Sequence, residues 1–139
     1  MFTTALVCLA MNVYWEARSQ STAGQIAVAQ VVINRVNDSR YPENVCSVVT
    51  QGVVHSGTDL PVRHKCQFSW YCDGKKDYPK DHKAWANSMM VAISVLDGKT
   101  VDMLDGATHY HAVNVYPDWA VTKTRTARID DHIFYRWEK

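Results

Sequence analysis

Glu16 stands at the end of the apolar stretch ALVCLAMNVYWEA and is one of only three glutamates in the chain. Glu43 lies in a proline-containing loop and Glu138 beside the C-terminus, so Glu16 alone is embedded in an apolar pattern. At 100° per residue it falls about 20° from Leu9 on a helical wheel, with Asn12 one turn earlier on the same side. That places it at the border of the buried face. A carboxylate held there is partly desolvated, which disfavours its charged form and raises its pKa. A glutamate tuned in this way is a general acid near neutral pH. The bland alternative is a surface glutamate that caps the helix or pairs with Arg18 or Arg35.

Asn12 and Glu16 have aromatic company in Tyr14, Trp15, Trp70 and Trp119. Rings beside an acid suit a carbohydrate groove, because sugars present apolar CH faces that stack on them; the alternative is that the rings are core. Other chemistries have weaker patterns. In THYH, His109 and His111 would share one face of a strand and His132 would come near, which makes a three-histidine zinc site conceivable. No HExxH supports it, and packing or substrate contact explains the same residues. A Cys66 or Cys72 nucleophile with His109 would suit a peptidase but has no local signature. A Ser–His–Asp triad would need a GxSxG, which is absent.

The elements that position these residues are legible from periodicity. Leu6, Leu9, Ala10, Val13 and Ala17 predict a helix from Thr4 to about Arg18. Thr22 with Gln25 reads as a capping box opening a second helix. From Ile26 to Val36 that helix is apolar nearly all round and should be central, with Asn34 and Arg35 at its exposed or hydrogen-bonded end. Pro42 is expected at the first position of a short helix over Glu43–Thr50. Alternation in CQFSWYCDG predicts a strand or hairpin with Phe68 and Trp70 on one face and Gln67, Ser69 and Tyr71 on the other. Asp81 should cap another helix with a stripe of Trp85, Met89, Ala92, Ile93 and Leu96, stopped at Gly98. The β-branched and aromatic C-terminal forty or so residues should form strands broken at Pro117 and near Lys123–Thr126. The fold class is therefore α+β, a helical cluster with a small antiparallel sheet.

A chain of 139 residues is most simply one domain, residues 1–139, long enough to bury a core. Its net charge of +1 offers no field for nucleic acid. The basic run KTRTAR reads as a solvated hairpin that would help approach to an anionic polymer. No apolar run nears the ~20 residues that span a bilayer, so stable membrane insertion is not expected. The N-terminal stretch lacks a positive n-region and reads as folded structure, leaving no visible export signal. Of the four cysteines, Cys8 is expected to be a small core residue. Cys66 and Cys72 could close a small loop, or Cys46 could pair with one of them, in an oxidising compartment.

The run CLAMNVYWEARSQSTAGQIAVAQVVINRV resembles the opening of the SleB-like cell wall hydrolase family, the catalytic domains of spore-cortex-lytic enzymes with relatives in bacteria and phages. Glu16-Ala17-Arg18, then Gly24-Gln25 through Asn34-Arg35-Val36, follow that pattern, and YPENVCSVV, CQFSWYCDG, GATHYHAVNVYPDWA and HIFYR continue it across nearly the whole chain. The resemblance implies a lysozyme-like, lytic-transglycosylase-related fold, peptidoglycan glycan strands as substrate, and Glu16 as catalytic acid. One departure is Gln20, where the family commonly has a second acid.

On this reading the bond cut is the β-1,4 link between N-acetylmuramic acid and N-acetylglucosamine. Gln67, Ser69, Trp70, Thr108, His109, Tyr110 and Trp119 are the expected groove residues, with no metal or cofactor. Hydrolysis would need a second carboxylate, for which Asp73, Asp105 and Asp118 are candidates. Without one, the substrate's own C6 hydroxyl attacks and leaves a 1,6-anhydro end, as in a lytic transglycosylase. The rival classes are a zinc- or cysteine-dependent wall peptidase and a non-catalytic wall-binding module. The expected setting is a phage endolysin, made in a bacterial cytoplasm and released through a holin-type pore.

Overall fold

The computed structural model describes residues 4–139. Its first helix, α1 (Ala5–Ala17), is capped by Thr4, whose side chain accepts from the Val7 amide at 3.2 Å. Helix α2 (Thr22–Val36) starts one residue earlier than a Thr22 capping box would have it: Ser21 is the cap and accepts from the Gly24 amide. The short α3 (Val45–Val49) is capped by Asn44, so Pro42 lies in the turn before it and not inside the helix. Asp81 caps α4 (His82–Leu96) as expected, and Gly98 ends it at φ +68°. Each cap satisfies one of the amides that a helix start leaves bare.

Helix α2 is central because it serves two cores. Ala29 and Val32 join Leu9, Val13, Val48, Val49, Ala92 and Val95 in a helical core. Ala27 and Val31 pack instead with Leu104, Ala107 and Phe134 under the sheet. Each large aliphatic side chain so buried contributes about 1.5–3 kcal/mol by leaving water. The buried stripe of α4 is rotated from the expected one. Ser88, Val91, Ala92 and Val95 are buried, while Ile93 and Leu96 are largely exposed. The small Ser88 sits inside because its hydroxyl bonds back to the Ala84 carbonyl at 3.0 Å.

The strands form two antiparallel groups. A ribbon pairs β1 (Gly52–Val54) with β2 (Pro61–Cys66). A three-stranded sheet has the order β3 (His109–Ala112), β5 (His132–Arg136), β4 (Thr124–Ile129). The segment expected as a strand around Phe68 is instead a 3-10 turn, Ser69–Cys72. The Cys66–Cys72 disulfide folds it back, which an extended run cannot accommodate. KTRTAR is not a break: from Thr124 it is the edge strand β4 of the hairpin with β5, with the mostly exposed or half-buried side chains of a solvated hairpin. Charges on an edge strand also discourage pairing with other chains.

Two devices fasten the elements to one another, the first joining sheet to helices and the second helix to helix. Asp130, in the β4–β5 turn at φ +50°, accepts from both the amide and hydroxyl of Ser21, at 2.8 and 2.5 Å. Gly24 permits this approach, since a Cβ there would stand 2.5 Å from the Asp130 carboxylate. The second device is a disulfide between Cys8 and Cys46, with Cα atoms 5.2 Å apart, which staples α1 to α3. Cys8 is thus not the free core cysteine that its apolar surroundings suggested.

The two bridges close loops of very different length, 38 and 6 residues apart in sequence. Chain entropy then predicts a loss of about 4 kcal/mol for Cys8→Ala/Cys46→Ala and about 2 kcal/mol for Cys66→Ala/Cys72→Ala. Urea unfolding of the two double variants checks this, and equal losses would contradict it.

Candidate active site

Glu16 occupies the last turn of α1, half-buried at the edge of the helical core. The hydroxyl of Tyr110, from β3, donates to its Oε1 across 94 residues of sequence. Burial pushes the Glu16 carboxyl above its ordinary pKa. The Tyr110 hydrogen bond and the positive Arg35 pull the other way without overcoming it. Burial likewise holds the Tyr110 hydroxyl far above its usual value, so it remains protonated and a donor.

The register explains how Tyr110 reaches the helix. It lies opposite Phe134 on β5, and its ring packs on Phe134 and His132 at 5.5 and 5.0 Å. Arg35 approaches from the last turn of α2 and is 5% exposed. Its Nε donates to the Thr108 carbonyl at 2.8 Å, and its guanidinium faces the Tyr41 and Phe68 rings at 5.0 and 5.1 Å. Asn12 is wholly buried and accepts from Trp70 Nε1 at 2.9 Å, which ties the 3-10 turn to α1 one helical turn below Glu16.

The structure sorts the expected groove residues. Tyr110 touches Glu16 directly. Trp70 and Thr108 are buried at 5% and 3% exposure and stand behind the site, not on its surface. Gln67 and Ser69 are exposed on either side of the buried Phe68. His109 and Trp119 lie together, ring centres 5.1 Å apart, on the sheet face opposite Tyr110. There Trp137 also packs on His109 at 5.8 Å, and burial lowers the His109 pKa to about 4, leaving it neutral.

The three histidines do not converge. His111 shares the far face with His109 and bonds the Tyr135 hydroxyl at 2.8 Å, whereas His132 packs against Tyr110 on the near face. Among the described residues no three histidine, cysteine or acidic side chains are grouped to hold a metal. Cys66 and Cys72 are joined to each other, so neither is a thiolate nucleophile. Nor, among the described residues, does a second acid act on Glu16. Asp105 pairs with Arg136 at 2.8 Å, Asp73 accepts from the Lys75 amide, Asp118 is exposed, and none is among the groups that shift Glu16.

The sequence pattern of the family described as Cell Wall Hydrolase matches residues 19–135. The chain belongs to the cell wall hydrolase family. The matched span begins just after Glu16, so the geometry around Glu16 is an argument separate from it. The spore cortex-lytic enzyme of Halalkalibacterium halodurans is 29% identical over 127 residues, covering 91% of this chain and 33% of that protein. That of Bacillus subtilis is 44% identical over 41 residues, 30% of this chain and 13% of that protein. The chain thus spans about a third of the first relative's length.

Among solved structures, the catalytic domain of the germination-specific lytic transglycosylase SleB from Bacillus anthracis superposes with a TM-score of 0.71 at 23% identity, covering 97% of both chains. The catalytic domain of the Bacillus cereus SleB protein gives 0.67 at 22% identity, covering 98% of this chain and 93% of that one. The α+β fold of this chain is therefore the fold of the SleB catalytic domains, as the resemblance implied.

Of the two cations that the sequence offered to Glu16, Arg35 is the one whose charge acts on it, from a buried position and not as a surface pair, while Arg18 lies over Tyr14 and Trp15. Reasoning from sequence cast Tyr110 as a groove contact, because a wheel of α1 carries no information about β3.

The raised pKa of Glu16 has a sign. The folded state binds its proton more tightly than the unfolded chain, so the group's contribution is present below the unfolded pKa and lost as pH rises through the folded one. At neutral pH the buried carboxylate costs stability. Glu16→Gln, which keeps the acceptor for Tyr110, should therefore melt higher than the parent at pH 7, with the gap closing near pH 4. A variant less stable at both values would contradict this. Tyr110→Phe removes the bond that lowers the Glu16 pKa, so the alkaline limb of its pH–rate profile should move up. A limb that stays or moves down would show that Tyr110 does not act on this proton.

Proposed function

We propose that this protein cleaves peptidoglycan glycan strands at the β-1,4 bond between N-acetylmuramic acid and N-acetylglucosamine, as a lytic transglycosylase with Glu16 as its single acid. The observation that carries the reading is a desolvated carboxyl with one oxygen held by Tyr110 and, among the described residues, no carboxylate acting on it. The family, and the SleB lytic transglycosylase fold, support the same chemistry.

Burial keeps the Glu16 proton in place as the substrate arrives. With Oε1 occupied by Tyr110, the proton is presented from Oε2 to the glycosidic oxygen. As the bond to C1 breaks, positive charge develops on the muramic ring and the leaving sugar departs with the proton. Glu16 is now a carboxylate, stabilised by the Tyr110 hydrogen bond and the Arg35 charge. It withdraws a proton from the C6 hydroxyl of the same ring, whose oxygen closes on C1. The product is a 1,6-anhydro end, no water is consumed, and Glu16 is protonated again. Ring closure within one sugar is fast because nucleophile and carbon are already held together. Gln67 and Ser69 are the exposed polar groups offered to the strand, while Trp70 and Thr108 hold the site from behind.

The proposal extends to the setting of a phage endolysin passing through a holin-type pore, since two disulfides suit a chain that ends up outside a reducing cytoplasm.

Removing a general acid costs roughly a hundredfold or more. Glu16→Gln should therefore lose at least about that much fragment release from purified peptidoglycan, while Asp73→Asn, Asp105→Asn and Asp118→Asn remain near the parent. An aspartate variant as dead as Glu16→Gln would replace this reading with two-carboxylate hydrolysis. Full activity in Glu16→Gln would remove Glu16 from the chemistry.

A further inference from the structure

The end of α1 carries a second feature that the cleavage chemistry does not use. A cavity of about 590 Å³ opens beside Tyr14, Trp15 and Arg18, and Lys76, Tyr78, Lys80 and Asp81 complete its wall. Glu16 does not line it, but Trp15 and Arg18 bracket Glu16 in sequence. The cavity is therefore at the same end of α1 as the proposed acid but round the helix from it, Trp15 standing about 100° and Arg18 about 160° from Glu16, an offset that a peptide of several residues, at about 3.3–3.6 Å each, can span.

Its charge is unbalanced. Arg18, Lys76 and Lys80 are three cations, and among the described residues none of them forms an ion pair. The single carboxylate in the wall, Asp81, is engaged elsewhere: its Oδ1 accepts from the Ala84 amide at 3.0 Å, as the cap of α4. Its own amide donates to the Tyr14 hydroxyl at 3.1 Å, which fixes that end of the wall. The neighbouring Asp73 and Asp77 repel one another, and neither pairs with a lysine. Arg18 is also held in position, its guanidinium 4.7 Å from the Tyr14 ring centre and 5.2 Å from that of Trp15. Stacking of this kind aims a guanidinium while leaving its N–H fork free for an anion.

We infer that this cavity is a subsite for a carboxylate of the peptide stem carried by the muramic ring being cut. The inference rests on the proposed glycan cleavage and names what the same groove recognises beyond the sugars. Two anions occur on such a polymer, the stem carboxylates and wall phosphates. The stem is favoured because the C6 hydroxyl must be free to close the anhydro ring, so no phosphate polymer hangs from that carbon. The stem leaves the same ring at its lactyl group and carries its charges away from the reacting bond. Three cations around an open, exposed hollow attract such a group, and more weakly as salt is added.

The test uses soluble, uncross-linked glycan chains freed of wall phosphate, with stem carboxylates either intact or capped as methylamides. The parent should show a KM about tenfold lower on the charged chains, with kcat alike on both. Lys76→Gln/Lys80→Gln, and the same pair with Arg18→Gln, should lose that preference, raising KM only on the charged substrate. Equal KM values for the parent on both substrates would overturn the inference, as would variants that keep the preference. Direct binding of the Glu16→Gln protein to the two chains separates this claim from the catalytic one. Charge-dependent binding without any cleavage by the parent would retain the subsite and reject the chemistry. Cleavage with charge-independent binding would do the reverse.

Discussion

The Tyr110 hydroxyl on the Glu16 carboxylate is the contact on which the rest of the molecule converges. One partner ends a helix and the other begins a strand, so the bond exists only if the helical cluster and the sheet hold a fixed relation. That relation is maintained from three sides. Helix α2 packs into both cores, Asp130 grips the turn between α1 and α2, and Arg35 anchors the start of β3 through the Thr108 carbonyl. A carboxyl desolvated by this arrangement is destabilised as an anion, a cost the fold bears at neutral pH. The same cost is what keeps a proton available.

The competition around Glu16 is a contest of terms with opposite sign. A hydrogen bond from tyrosine and a nearby guanidinium both favour the charged carboxylate, and burial opposes them and wins. Such a balance suits a group that must act first as an acid and then as a base. In the proposed reaction burial would hold the proton until the bond breaks, and the tyrosine and arginine would stabilise the carboxylate afterwards. A surface glutamate paired with Arg18 would have lost its proton before the substrate arrived, and Arg18 in fact lies over Tyr14 and Trp15.

What could be seen in the sequence was what is local. The wheel of α1 located Glu16 at a buried border, and the apolar run of α2 foretold a helix enclosed on most sides. Asp81 and Gly98 marked the ends of α4. What could not be seen depends on partners distant in the chain. The Cys8–Cys46 bridge joins elements 38 residues apart, and nothing near Cys8 announces it. Alternation around Phe68 imitated a strand because a short covalent loop can hold an aromatic run in a 3-10 turn. The histidines of THYH do share a face, but it is the face turned from Glu16, and only the pairing with β5 settles which.

Whether one carboxyl suffices is decided by the origin of the oxygen at the new sugar end. Digestion of purified peptidoglycan in water enriched in heavy oxygen, followed by mass spectrometry of the released fragments, reads this directly. The account predicts muramic ends lighter than the reducing form by one water and free of the label. Labelled reducing ends would mean that water attacks C1 and that a second group, not Glu16 alone, completes the reaction.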